Sequence, residues 1–194
     1  MLHHLLLRLE RSALLDSIVV ATGPGPDNEV IRDEAIRLGY DCPYTMRHED
    51  DVLGRYIDVA NLYQGGLVVR ITGDCPLIDA EVVDKTIDAL GKHDFASNVV
   101  RRTYPRGLDV EVMPRSTLQW LDSHLISGNP AREHVCSFLY HTMIAFRIIS
   151  VFDEENNSDL VWCVDDMKDF DKVAEMLRWG ILPYKDVLRR ALGS

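Results

Sequence analysis

Apolar and polar positions along the chain follow two alternating rhythms. Leu2, Leu5, Leu6 and Leu9 recur at helical spacing, which predicts an opening amphipathic helix. Ile18-Val19-Val20-Ala21-Thr22 is a continuous apolar run ending in Gly23-Pro24-Gly25-Pro26, the pattern of a buried parallel strand and a turn. Asp27 then caps a helix carrying Ile31, Ala35 and Leu38 that stops at Gly39. A short strand is expected near Cys42-Pro43-Tyr44. Asp50 or Asp51 opens a helix with Val52, Leu53, Tyr56, Ile57 and Ala60, which ends at Gly65-Gly66. Leu67-Val68-Val69-Arg70-Ile71-Thr72 is the clearest buried strand. After the loop Gly73-Asp74-Cys75-Pro76, Asp79 caps a helix with Val82, Val83, Ile87 and Leu90. This alternation predicts an α/β domain with a largely parallel sheet.

The second half is more mixed. Phe95 to Val99, Leu108 to Val112, Ala145 to Val151 and Leu160 to Val164 read as strands. Helices are expected from Ser116 to Ile126, Arg132 to His141, Lys168 to Trp179 and Lys185 to Leu192. The polar stretch from Asp153 to Asp159 reads as a loop or hairpin tip. No internal repeat and no linker interrupts the pattern, so residues 1–194 are expected to form a single domain.

Composition narrows the function classes. With 46% hydrophobic and 27% charged residues, the chain has enough apolar content to exclude disorder as its dominant state. Lys plus Arg is 21 and Asp plus Glu is 31, a formal charge of −10. That argues against nucleic acid as a partner, whose backbone needs a dense basic face. A small phosphate ligand needs only a few cations or a divalent metal. No apolar run is long enough to span a membrane, and Met1 to Leu7 lacks the charge order and cleavage site of a signal peptide. Cys42, Cys75, Cys136 and Cys163 form no C-x-x-C pair, which argues against a thiolate zinc site and reads as reduced thiols of a cytoplasmic chain.

In open parallel sheets, ligands bind beyond the carboxyl ends of the strands. Asp74 falls two residues after one expected strand, and Asp165 and Asp166 directly follow another. Hard carboxylate ligands at two strand ends are suited to Mg²⁺, which takes one or two carboxylates plus substrate phosphates. The plainer reading makes Asp74 a turn residue and Asp165 or Asp166 a helix cap. Arg101, Arg102 and Arg106 concentrate positive charge within an acidic chain. Their planar donor forks suit a carboxylate or phosphate, or else they make weak surface pairs. Asp109 and Glu111 alternate with Leu108, Val110 and Val112, so in a strand they share one face and would grip sugar hydroxyls beside a cleft. Arg132-Glu133-His134 opens a predicted helix, where His134 is either an acid/base group or part of a polar N-terminal cluster. The histidines form no H-x-x-x-H pair, and neither a nucleophile elbow nor a Walker loop is present.

Five segments in order carry a resemblance. They are Arg70-Ile71-Thr72-Gly73-Asp74-Cys75-Pro76-Leu77-Ile78-Asp79, Ser97-Asn98, Thr103-Tyr104-Pro105-Arg106-Gly107-Leu108-Asp109-Val110-Glu111, Arg132-Glu133-His134 and Trp162-Cys163-Val164-Asp165. Together they resemble the cytidylyltransferases of the spore-coat polysaccharide protein F type, relatives of the CMP-Kdo and CMP-sialic acid synthetases. The resemblance runs from Leu2 to about Arg178. It implies a Rossmann-like nucleotide-diphosphosugar transferase fold, a three-layer α/β/α sandwich. It implies transfer of CMP from CTP to a sugar acid in surface polysaccharide biosynthesis, with Mg²⁺ held by Asp74 and Asp165. Arg70 joins them as a catalytic residue, and Arg106, Asp109, Glu111, Arg132 and His134 are carried over as substrate-binding residues. A homodimer is expected because relatives commonly dimerise.

Two departures accompany the match. The family's opening strand and its phosphate-gripping loop have no counterpart here, and Asp166-Met167 stands where the family has Thr-Pro. The absent strand would lie mid-sheet, between the Ile18 and Leu67 runs. Those two runs are therefore expected to close on each other, or another chain to donate a strand, because a gap would leave buried backbone groups unpaired. Weak CTP turnover by this chain is the matching expectation. The alternatives are a non-catalytic remnant that keeps the fold as a dimerising module, and a sugar-nucleotide-dependent glycosyltransferase. The absence of a D-x-D motif argues against the latter.

Overall fold

The computed structural model describes residues 1–141 and 145–193. Helices α1 (Leu2–Leu9), α2 (Pro26–Arg37) and α3 (Val52–Tyr63) lead to strand β1 (Leu67–Arg70). Helix α4 (Ala80–Leu90), strands β2 (Phe95–Ser97) and β3 (Glu111–Pro114) and helix α5 (Arg115–His124) follow. A 3₁₀ turn (Pro130–Arg132), α6 (Ser137–His141), β4 (Ile148–Ser150), α7 (Met167–Leu177) and α8 (Tyr184–Leu192) complete the order.

Three helix starts carry a predicted cap, whereas Asp27 is no cap: it lies inside the first turn of α2, which Pro26 opens after Gly25. Asp51 accepts from the Gly54 N–H at the head of α3, and Asp166 accepts from the Asp169 N–H at the head of α7. Asp79 serves two helices. One carboxylate oxygen accepts from Val82 N in α4 (3.1 Å) and the other from Tyr184 N at the start of α8 (2.7 Å). A buried carboxylate is thereby satisfied by backbone donors at two positive helix ends.

The four strands order β1-β3-β2-β4. β3 runs antiparallel to both β1 and β2, and only β4 is parallel to β2. The expectation of a mostly parallel sheet is thus corrected: this sheet is mixed. The apolar runs gave the strands, but strand direction depends on how a connection returns, which local pattern does not encode. The expected strands at Ile18–Thr22 and Leu160–Val164 reduce to single parallel bridges, Val19 with Asp41 and Arg106 with Val161, and Cys42–Tyr44 forms no strand, the bridge falling on the preceding Asp41. The strand expected from Leu108 begins instead at Glu111. Asn98 takes its place in the ladder: its buried side-chain amide donates to Leu108 O (2.6 Å) and accepts from Val110 N (2.9 Å). The helix expected from Arg132 to His141 is broken into the 3₁₀ turn, a further turn and α6.

Side chains alternate across the sheet and build one core on each face. Ala96, Val110 and Val112 point to the layer of α1, α4, α7 and α8, where Leu6, Val83, Val173 and Val187 are buried. Phe95 and Met113 point to the layer of α3, α5 and α6, with Leu53, Leu118 and Leu139. The result is the expected three-layer α/β/α sandwich. One expected closure is not observed. The Ile18–Thr22 segment and β1 do not pair; an open apolar slot of about 340 Å³ lies between them, reaching from Leu67 to Gly73.

Candidate functional site

The loops after β1 and after the Val161 bridge lie side by side, because the Val164 N–H donates to the Asp74 carbonyl (2.9 Å). That bond brings Asp74 and Asp165 to one end of the sheet, beside the mouth of the slot at Gly73. Two thiols stand among them. Cys75 Sγ lies 3.4 Å from Asp74 Oδ1, and Cys163 Sγ lies 3.6 Å from Asp165 Oδ2. Partial burial first, then Asp165 and Asp74, push the Cys163 thiol up to about 11. Burial, then Asp74, raise Cys75 as well, with Asp109 a further contributor.

Asp109 enters this cluster paired with Arg102, whose guanidinium donates to it through two bonds of 2.5 and 2.8 Å. Asp74 and Asp165 have no such partner: among the described residues neither carboxylate forms an ion pair. Arg106 is exposed and bridges Val161, on the segment that leads to Asp165. Its backbone is anchored on both sides: its N–H donates to Leu160 O and its C=O accepts from Trp162 N–H, while among the described residues no ion pair holds its side chain. Gly107 makes this anchoring possible. Its φ is +100°, and a Cβ there would stand 2.5 Å from Cys163 N and Trp162 C.

Other predicted residues lie elsewhere. Arg70 and Glu111 are cross-strand partners in the β1–β3 register and form a buried ion pair, and Glu111 also accepts from the Tyr140 hydroxyl. Burial opposes the Arg70 charge, but Glu111 outweighs it and holds the guanidinium above its ordinary value. Glu111 is therefore the counter-ion of Arg70, and Asp109 and Glu111 serve different arginines. Arg132 is buried and fully engaged: it donates to Asp51 (2.7 Å), Leu125 O (2.7 Å) and Asp122 (2.8 Å). Its position joins the head of α3 to the end of α5. His134 is exposed in the turn that precedes α6. Asp166 is spent on capping α7.

Arg102, Cys75 and Cys163 were not singled out from the sequence. Arg102 was legible only as one of a cluster of arginines, and its pairing with Asp109 seven residues on follows from the loop's fold. Among the described residues no group of three or more His, Cys, Asp and Glu side chains is arranged to hold a metal. Two carboxylates at adjacent loops, both free of cationic partners, are the donor set that fits Mg²⁺ shared with substrate phosphates, and not a closed all-protein cage.

The fold is a nucleotidyltransferase-like three-layer α/β domain, with the Asp74 and Asp165 loops side by side at one sheet end. Comparison with known proteins agrees. The family model described as cytidylyltransferase matches residues 1–171, and the chain belongs to that family. It is 31% identical over 176 residues to an uncharacterized protein of Methanocaldococcus jannaschii, covering 89% of this chain and 70% of that one. It is 28% identical over 137 residues to the spore coat polysaccharide biosynthesis protein SpsF of Bacillus subtilis, covering 69% of this chain and 54% of that protein. The chain thus matches about half the length of SpsF. The structure of a cytidylyltransferase from Leptospira borgpetersenii serovar Hardjo-bovis superposes with a TM-score of 0.89 at 27% identity, over 97% of this chain and 81% of that one. No helix among the described residues is long and apolar enough to cross a membrane.

Proposed function

We propose that this domain serves transfer of CMP from CTP to a sugar acid, with release of pyrophosphate. The observation that carries the reading is the pairing of the Asp74 and Asp165 loops through Val164 N–H, with both carboxylates left free of cationic partners. Mg²⁺, when bound there with the triphosphate, would neutralise charge at the phosphorus under attack. Asp74 and Asp165 would hold it. Arg106, anchored by backbone and free of an ion pair, would meet the anionic oxygens of the nucleotide or the sugar carboxylate. Arg102 would keep Asp109 turned toward the same loop. Arg70, Glu111 and Arg132 act in this reading as supports of the sheet and of the α3–α5 junction.

The family membership supports cytidylyl transfer as the reaction, and the SpsF likeness supports a role in surface polysaccharide formation. The test is calorimetric titration of CTP with and without Mg²⁺, with GTP as control. Metal-dependent, CTP-selective binding that is lost in Asp74→Asn supports the reading. Equal binding of GTP, or CTP binding indifferent to both Mg²⁺ and Asp74→Asn, overturns it. A second reading, a module that keeps the fold without turnover, is favoured by one observation: Arg70 and Arg132, two of the expected site cations, are locked in structural ion pairs. CTP binding without formation of a CMP-sugar from any sugar acid offered would select it.

A further inference from the structure

We propose that Cys75 and Cys163 are positioning residues, each holding one candidate metal carboxylate by a thiol hydrogen bond. This role rests on the reading of Asp74 and Asp165 as the Mg²⁺ ligands. The geometry repeats at the two loops. The Cys75 thiol donates to Asp74 Oδ1 (3.4 Å), and the Cys163 thiol donates to Asp165 Oδ2 (3.6 Å). A thiol has a single proton. With that proton on Asp74, the 3.2 Å contact between Cys75 Sγ and Thr72 Oγ1 has the hydroxyl as donor. Thr72, Cys75 and Asp74 thus form a relay inside one turn, which the Cys75 N–H closes by donating to Thr72 O (3.3 Å). Asp165 is also held through its backbone, because its N–H donates to Asp169 Oδ2 in the first turn of α7 (3.3 Å).

The pattern leaves one oxygen of each carboxylate open. Asp74 Oδ2 and Asp165 Oδ1 accept no hydrogen bond among the described residues. One oxygen fixed and one open suits a carboxylate that gives a single bond to a hard cation. The kind of donor matters as well. An arginine would fix the carboxylate more tightly, but it would also compete with the cation for its charge. A thiol is a weak, uncharged donor. It sets the rotamer and leaves the negative charge to the metal. Arg102 is withheld from both carboxylates by its two bonds to Asp109. Cys75 is 2% exposed, which shields its bond to Asp74 from competing water.

The test measures CTP binding to the full chain by calorimetry across a series of Mg²⁺ concentrations. Cys75→Ala and Cys163→Ala should each raise the Mg²⁺ concentration needed for half-maximal binding about tenfold, as expected on losing a residue that orients a metal ligand. Cys75→Ser and Cys163→Ser keep a donor and should recover most of that loss. Packing alone predicts the opposite order, because burying a hydroxyl costs more than burying a methyl. Cys136→Ala makes a similar cavity at a thiol 1% exposed in the α3, α5 and α6 layer. It should lower the melting temperature without moving the Mg²⁺ requirement. A readout free of nucleotide and metal is the Raman S–H stretch, which falls in wavenumber when the thiol donates. Asp74→Asn and Asp165→Asn weaken the acceptor and should raise it. If Cys75→Ala fails to fold, the Cys163 variants, at a partly exposed thiol, decide the matter. An unchanged Mg²⁺ requirement in the alanine variants overturns this role alone. So does an S–H band indifferent to both asparagine variants. CTP binding by the parent that ignores Mg²⁺ overturns the metal reading, and this role falls with it.

Discussion

Replacing Glu111 by Gln separates a structural role from a ligand-binding one. Glu111 is 5% exposed, and its partner Arg70 keeps only 17% of its side-chain surface. The substitution preserves shape and removes one charge, leaving the guanidinium buried without compensation. Breaking a buried pair in this way costs about 3–5 kcal/mol. In a chain of this size each kcal/mol moves the melting temperature by about 2–4 °C, so a fall of roughly 10 °C is expected. The compensating double variant Arg70→Met/Glu111→Leu removes both charges. It should recover most of the loss, short of about 1 kcal/mol for the Tyr140 hydroxyl, which loses its acceptor. Thermal melts of Arg70→Met, Glu111→Leu, the double variant and the parent form a double-mutant cycle. A melting temperature within 2 °C of the parent for Glu111→Gln, about 1 kcal/mol or less by the same conversion, would refute the structural assignment. Coupled with weakened sugar binding, it would return Glu111 to the substrate.

Four further outcomes follow from the same structure. Gly107→Ala should lower stability by at least about 2 kcal/mol in denaturant melts, because a left-handed φ is joined by a Cβ clash with backbone at Trp162 and Cys163. Asp79→Ala should cost about 2 kcal/mol or more by the same assay, since it uncaps α4 and α8 together. Burial works against the Asp51 charge, but Arg132, the Gly54 N–H and Arg47 outweigh it and hold the carboxyl below its ordinary 3.8. Its stabilising contribution is therefore present above about pH 4 and is lost as pH falls below it, and Asp51→Asn should flatten that acid limb in pH-dependent melts. Iodoacetamide labelling of Cys163, read by mass spectrometry, should still accelerate above pH 10, and Asp165→Asn should shift the curve to lower pH.

The helices were legible because their starts carry local chemistry. Asp51, Asp79 and Asp166 announce α3, α4 and α7 through side-chain bonds that span three residues, and such signals survive folding unchanged. Strand direction was not legible, because β3 finds β1 and β2 through contacts more than a dozen residues distant. Asn98 shows the limit most clearly: a polar residue at a strand end takes over two backbone partners and moves the next strand's start to Glu111.

The candidate site divides along the same line. Asp74 and Asp165 were found from where strands end, and their loops do meet. Arg70, Glu111 and Arg132 drew attention as charged residues in recognisable motifs, but a charge in a motif does not say whether it faces a ligand or another side chain. Only cross-strand register shows Arg70 opposite Glu111, and only the α3–α5 junction shows Arg132 between Asp51 and Asp122. The slot follows from the opposite kind of reasoning. An apolar run such as Leu67–Thr72 demands neighbours on both sides. β1 has β3 on one side and the open slot on the other, so that demand is met on one side only among the described residues.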